Sequence, residues 1–82
     1  MTIEVKFNSN ELAENLRSGP YDLQEGATVA ALLEIAQSEA GFVIPRELAE
    51  NLVFLYDNRH AIPETALSDG GKLRVLHKVV GG

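Results

Sequence analysis

Thr28-Val29-Ala30-Ala31-Leu32-Leu33-Glu34-Ile35-Ala36-Gln37-Ser38-Glu39-Ala40-Gly41 is the stretch that decides the fold. Apolar residues fall at Val29, Leu32, Leu33, Ala36 and Ala40, with Ile35 at the edge of the stripe. That is the period of an amphipathic helix over 29–40. Thr28 is a good N-cap, because its hydroxyl can accept from a free amide of the first turn. Gly41 stands where a helix ends in a left-handed residue. One long helix with one apolar stripe needs one apolar surface to cover.

Upstream, Thr2-Ile3-Glu4-Val5-Lys6-Phe7 alternates, which predicts a half-buried strand with Ile3, Val5 and Phe7 inward. Glu11 to Arg17 predicts a short helical turn capped by Ser9 or Asn10 and ended by Ser18-Gly19-Pro20. Tyr21 to Gln24 reads as a second strand, and Glu25-Gly26 as a turn. Downstream, Pro45 suits the first position of another short helix running through Asn51. Leu52-Val53-Phe54-Leu55-Tyr56 is a continuous apolar run, read as a central strand covered on at least one face. Asp57 to His60 is expected to turn, Ala61-Ile62 to form a brief strand, and Ser68-Asp69-Gly70-Gly71 to turn again. Lys72 to Lys78 alternates, with Leu73 and Val75 on one face and Arg74 and Leu76 on the other. The hexapeptide Glu11-Leu12-Ala13-Glu14-Asn15-Leu16 recurs at Glu47-Leu48-Ala49-Glu50-Asn51-Leu52, too short for a repeat architecture and read as coincidence. The order is strand, strand, long helix, strand, minor strand, strand. It predicts an α+β fold of β-grasp type, a mixed sheet of four to five strands with one main helix packed across it.

Composition narrows the function. With 82 residues the chain makes one domain, expected over 1–82 with a flexible tail over 78–82. No cysteine means no disulfide, no thiolate zinc site and no thiol catalysis. The start of the sequence has neither the basic nor the apolar region of a signal peptide, so a cytoplasmic location is expected. A net charge of −5 disfavours nucleic acid as a partner. The charge is uneven. Residues 1–50 hold nine acids against Lys6, Arg17 and Arg46, whereas Lys72, Arg74 and Lys78 follow Asp69 with no further acid.

No enzyme site stands out. Gly70-Gly71-Lys72 lacks the spacing of a phosphate loop and precedes a strand. His60 and His77 are too few for a metal site, so none is expected. Glu47 and Glu50 share a helical face and read as solvated charge. The remaining candidate is the ending Val79-Val80-Gly81-Gly82. A Gly-Gly segment is slim enough to thread a narrow channel, and a terminal carboxylate becomes reactive only when another enzyme activates it.

The C-terminal third resembles the ubiquitin-like sulfur carriers, whose two branches are the small subunit of molybdopterin synthase (MoaD-like) and the thiamine-pathway carrier (ThiS-like). The resemblance rests on Leu67, Asp69-Gly70-Gly71, the strand Leu73 to Leu76, Val79-Val80 and Gly81-Gly82, and it extends over essentially the whole chain. Asp57-Asn58-Arg59-His60 stands where the family has an Asn-Gly turn, Gly71 where it has a second Asp, and His77-Lys78 where molybdopterin-type carriers often have Pro-Pro. The ending is closer to the thiamine branch, the length and segment 9–19 to the molybdopterin branch; of the two, molybdopterin is preferred.

The resemblance implies a carrier and not an enzyme. Gly82 would be adenylated by an E1-like adenylyltransferase (MoeB- or ThiF-like) using ATP and Mg²⁺, and the chain itself would bind no cofactor. A sulfur donor protein would then convert Gly82 to a thiocarboxylate for an acceptor synthase, either a MoaE-like large subunit or thiazole synthase. Gly81, Val80 and Val79 would lie in the partner's channel. Arg74, Leu76 and Lys78, on the outer side of the last strand, would dock the partner as an apolar patch with a basic rim. Two alternatives remain: a ubiquitin-like protein modifier conjugated through Gly82, and a non-catalytic β-grasp binding module.

Overall fold

The computed structural model describes residues 1–78. Its elements are β1 (Thr2–Phe7), α1 (Asn10–Asn15), β2 (Gly19–Asp22), α2 (Val29–Ala40), α3 (Arg46–Ala49), β3 (Leu52–Tyr56), β4 (Arg59–Ala61) and β5 (Lys72–His77). The sheet has the order β2-β1-β5-β3-β4. β1 and β5 run parallel and the other pairs antiparallel. This is the expected β-grasp arrangement. No helix among the described residues is long and apolar enough to cross a membrane.

The helix forms as its sequence dictates. The Thr28 hydroxyl accepts from the Ala31 amide at 3.2 Å, and Gly41 closes the helix at φ 65°. Val29, Leu32 and Ala36 are buried and join Ile3, Val5, Leu73 and Val75 of the sheet in one core. The stripe is shorter than expected, because Ala40 lies exposed in the last turn, where the chain departs through Gly41.

Three sequence expectations are corrected and one holds: Leu52 to Tyr56 is an interior strand paired on both sides, one place out from β5 at the centre. That segment is continuously apolar because its outward residues Val53 and Leu55 are apolar too, and both stay half-buried on the open face. Arg59 and His60 pair as strand instead of turning. Asp57 and Asn58 make the whole turn with φ of 50° and 67°, the left-handed conformation that a two-residue hairpin requires. β2 begins at Gly19, so Gly19-Pro20 is strand; a sheet edge tolerates proline. The expected short helix through Asn51 ends at Ala49, and Pro45 sits outside it as the cap. At α1, Ser9 caps without a side-chain bond; its carbonyl accepts from Ala13.

The repeated hexapeptide has a physical basis. In each copy the asparagine amide donates at 2.8 Å to the carbonyl of the glutamate four residues before it, Asn15 to Glu11 and Asn51 to Glu47. Leu12 and Leu48 are buried in both. Two short helices that lack room for a longer hydrogen-bond ladder close their last turn by the same side-chain device.

Gly71 is fixed by packing. The Tyr56 ring lies against it, held where its hydroxyl accepts from the Ser68 amide at 2.7 Å. A Cβ at Gly71 would meet ring atoms at 2.5 Å. Gly71→Ala therefore displaces the ring and breaks that bond, and should lower stability by about 1–3 kcal/mol in urea titration. Tyr56→Leu in the same chain should recover part of the loss, whereas equal loss in both backgrounds would contradict the contact.

Arg17 ties the β2 edge to α2. Its guanidinium bonds Glu39 at 3.0 Å and stacks 4.1 Å over the Tyr21 ring, while the Tyr21 hydroxyl donates to the Arg17 carbonyl at 2.7 Å. Burial raises the Tyr21 pKa above its ordinary value of 10.0, partly offset by the Arg17 charge. A raised folded-state value means that the stabilisation is complete below pH 10 and is lost as pH rises through the folded value. Chemical denaturation above pH 10 should show Tyr21→Phe losing less stability per pH unit than the unsubstituted protein.

Candidate functional site

β5 presents the candidate site. Leu73 and Val75 point into the core and are fully buried, as alternation requires. Arg74 points outward and is exposed, and Leu76 shares that face but is half-buried. The reason is register. Leu76 lies beside Val53 and Arg74 beside Leu55, both on β3. His60 of β4 continues the row beyond Leu55. The expected outward patch is thus broader than one leucine, a strip of Leu76, Val53 and Leu55. Sequence reasoning missed Val53 and Leu55, and their only signal was apolarity at both parities of β3.

On the other side of β5, Lys6 of β1 stands beside Arg74, and Glu4 beside Lys72. Lys6, Lys72 and Arg74 are all exposed. With Glu4, Ser18, Gly19, Asp57 and Asn58 they border an open depression of about 670 Å³. Glu4 and Asp57 border the same depression, whereas Glu11 and Glu14 on α1, Glu34 and Glu39 on α2, and Glu47 beside Glu50 at α3 are exposed on the helices. The helices therefore carry most of the exposed glutamates, and the depression sets the three cations Lys6, Lys72 and Arg74 against two acids beside an apolar strip.

Lys78 marks the end of the described chain. Its amide donates to the Asn51 carbonyl at 2.6 Å, so the chain is pinned one residue beyond β5 at the junction of α3 and β3. Leu48, Asn51, His77 and Lys78 border a shallow cleft there with Glu11 and Glu47 at its rim. Val79, Val80, Gly81 and Gly82 lie outside the described residues.

The turn before β5 is built by carboxylates. The Asp69 carboxylate accepts from the Thr2 amide at 2.7 Å and the Asp57 carboxylate from the Lys72 amide at 2.9 Å. Asp69 thus anchors the turn to β1. His60 on β4 and His77 on β5 lie on opposite sides of β3 and have opposite parity, so the sheet separates them. Among the described residues no cluster of metal-ligating side chains is present. Glu50 is bound to Arg46 at 3.1 Å, away from Glu47.

Comparison with solved structures gives whole-length matches. The chain is similar to the crystal structure of SAMP1, small archaeal modifier protein 1, from Haloferax volcanii, with 23% identity, all of both chains covered and a TM-score of 0.79. It is similar to a putative molybdopterin converting factor, subunit 1, from Pyrococcus furiosus, with 19% identity, 96% of this chain and 99% of that one covered, and a TM-score of 0.71. A chain in the complex of subunits 1 and 2 of the molybdopterin-converting factor from Helicobacter pylori matches at 20% identity over all of both chains, with a TM-score of 0.59. No family model and no curated protein matches the chain. At these identities the matches establish the fold.

Proposed function

We propose that this protein is a ubiquitin-like sulfur carrier of the molybdopterin type, acting as a co-substrate whose chemistry is performed by partner enzymes in the cytoplasm. The observation that carries the reading is the end of β5. The strand is buried on one face, offers Leu76 and Arg74 on the other, and is pinned at Lys78 four residues before Gly82. A rigid strand that leads into a slim Gly-Gly segment delivers a carboxylate to another protein's active site. The likeness to a molybdopterin converting factor subunit 1 supports the carrier reading.

The chemistry proceeds in two displacements. In an E1-like adenylyltransferase, a Gly82 carboxylate oxygen attacks the α-phosphorus of Mg²⁺-bound ATP and pyrophosphate leaves. The acyl-adenylate carbon then accepts hydrosulfide (HS⁻) released by a donor protein, its bond to the AMP oxygen breaks, and AMP departs, leaving a thiocarboxylate on Gly82. Val79, Val80 and Gly81 supply reach through the partner's channel. The strip Leu76–Val53–Leu55, with Arg74 and Lys78 at its margin, docks the partner. The subunit 1–subunit 2 complex from Helicobacter pylori supports a large-subunit acceptor as a further partner.

A second reading, a protein modifier conjugated through Gly82 to a lysine amine, is favoured by the likeness to small archaeal modifier protein 1. The first step is common and the second differs in its nucleophile. Intact-mass measurement after incubation with the host adenylyltransferase, ATP and a sulfur donor decides the matter. A gain equal to exchanging one oxygen for sulfur supports the carrier. Higher-mass conjugates without that gain support the modifier. Neither, with an enzyme active on another carrier, overturns both.

A further inference from the structure

Lys6 and Arg74 are direct neighbours on the parallel pair β1–β5, pointing to the same open face. Adjacent strands lie about 4.8 Å apart, so two cations in this arrangement repel and weaken the sheet. Neither makes an ion pair among the described residues; the two ion pairs there use Arg17 and Arg46. The chain has twelve acids and seven basic residues. It nevertheless places two of its few cations side by side on the sheet while six glutamates crowd the helices. Two acids share this face, Asp57, whose carboxylate accepts from the Lys72 amide, and Glu4, which stands opposite Lys72, so Lys6, Lys72 and Arg74 leave it a surplus of one cation. Stability alone does not select this arrangement, whereas an anionic partner does.

We propose that the Lys6–Arg74 pair seats an acidic segment of a protein partner, with the partner's carboxylates over the two cations and its apolar residues on the Leu55–Val53–Leu76 strip. Charge complementarity selects the occupant. The pair borders an open depression, Leu55 adjoins Arg74, and six exposed glutamates lie on the helices. A carboxylate-bearing surface is thereby drawn to the sheet and turned away from the helices, which orients the encounter. Nucleic acid, whose phosphates would also seek the pair, is repelled by the net charge and by the helical side, and it has no use for the strip. The inference rests on the carrier reading only for the identity of the first partner, the adenylyltransferase.

The test compares Lys6→Glu, Arg74→Glu and the charge-keeping Lys6→Arg as substrates of the host adenylyltransferase, by pyrophosphate release. Each reversal should lower kcat/KM by about tenfold or more at low salt with kcat kept, and the difference should shrink as salt screens the contact. Lys6→Arg, which keeps the charge, should retain more kcat/KM than either reversal. Lys6→Gln in the isolated protein should leave stability equal or higher, because a repulsion is removed. Unchanged kcat/KM for both reversals, while Leu76→Arg lowers it, overturns the inference and leaves the carrier reading standing. If the unsubstituted protein is not adenylated at all, the carrier reading fails separately. The inference is then decided by NMR titration with a short peptide alternating Glu and Leu. Shifts centred on Lys6 and Arg74, absent with a Gln–Leu peptide, support it. Equal shifts with the Gln–Leu peptide, stronger ones with a single-stranded oligonucleotide, or none overturn it.

Discussion

If Gly82 carries the proposed chemistry, its deletion should eliminate the gain in intact mass, a loss of at least about a hundredfold in rate. The shortened protein should unfold in urea at the same midpoint, which separates lost chemistry from lost fold. The effect is one of reach. Removing one residue from an extended chain withdraws the carboxylate by about 3.3–3.6 Å. In-line attack on a phosphorus atom needs the reacting atoms near van der Waals contact, and a misplacement of about 1 Å alone costs on the order of a hundredfold. The body cannot follow the shortened tail, because β5 is locked between β1 and β3 and the Lys78 amide is bound to Asn51. A shortened protein that still acquired sulfur would place the reactive carboxylate elsewhere. One that kept a binding activity with no chemistry at either length would be the plain β-grasp module.

Much of this was legible in the sequence, and the parts that were not share a cause. α2 and the strands β1 and β5 declare themselves through period, and Thr28 and Gly41 through local backbone chemistry; none of these depends on distant residues. The order of strands in the sheet does. A continuous apolar run looks central because central strands are covered on both faces, but Val53 and Leu55 are apolar for a surface that faces outward. Their meaning appears only when register sets them beside Leu76. Gly71 is a similar case. Read locally it is a turn residue that replaces an acid. In the fold it is the space required by Tyr56, fifteen positions earlier. The Lys6–Arg74 pair was equally hidden, since parallel pairing joins residues from opposite ends of the chain. The basic exit noticed in the sequence was only half of the charged feature. The repeated hexapeptide was dismissed for want of matching flanks, yet a hydrogen bond spanning four residues needs no flanks.

Leu73→Ala is the substitution expected to damage the protein most. Leu73 is fully buried on the central strand, inward between Val5 of β1 and Tyr56 of β3. Truncating such a leucine removes the transfer free energy of its methyl groups and leaves a cavity, together about 2–5 kcal/mol. Domains hold roughly 0.05–0.15 kcal/mol of stability per residue, so in a chain this short the loss takes a large share of the reserve. β5 also sets the geometry of everything proposed here. It carries Arg74 and Leu76 outward, holds β1 to β3, and leads to Lys78 and the Gly-Gly end. A population with β5 detached presents neither the docking face nor a positioned carboxylate, so activity should fall with the folded fraction and not through KM. Val43→Ala is the control, because Val43 is 81% exposed and should change stability by no more than about 0.5 kcal/mol. Urea midpoints for the two variants measure the difference directly. Equal midpoints would mean that β5 does not hold the centre of the sheet, and the docking face and the anchored exit would then lose their common support.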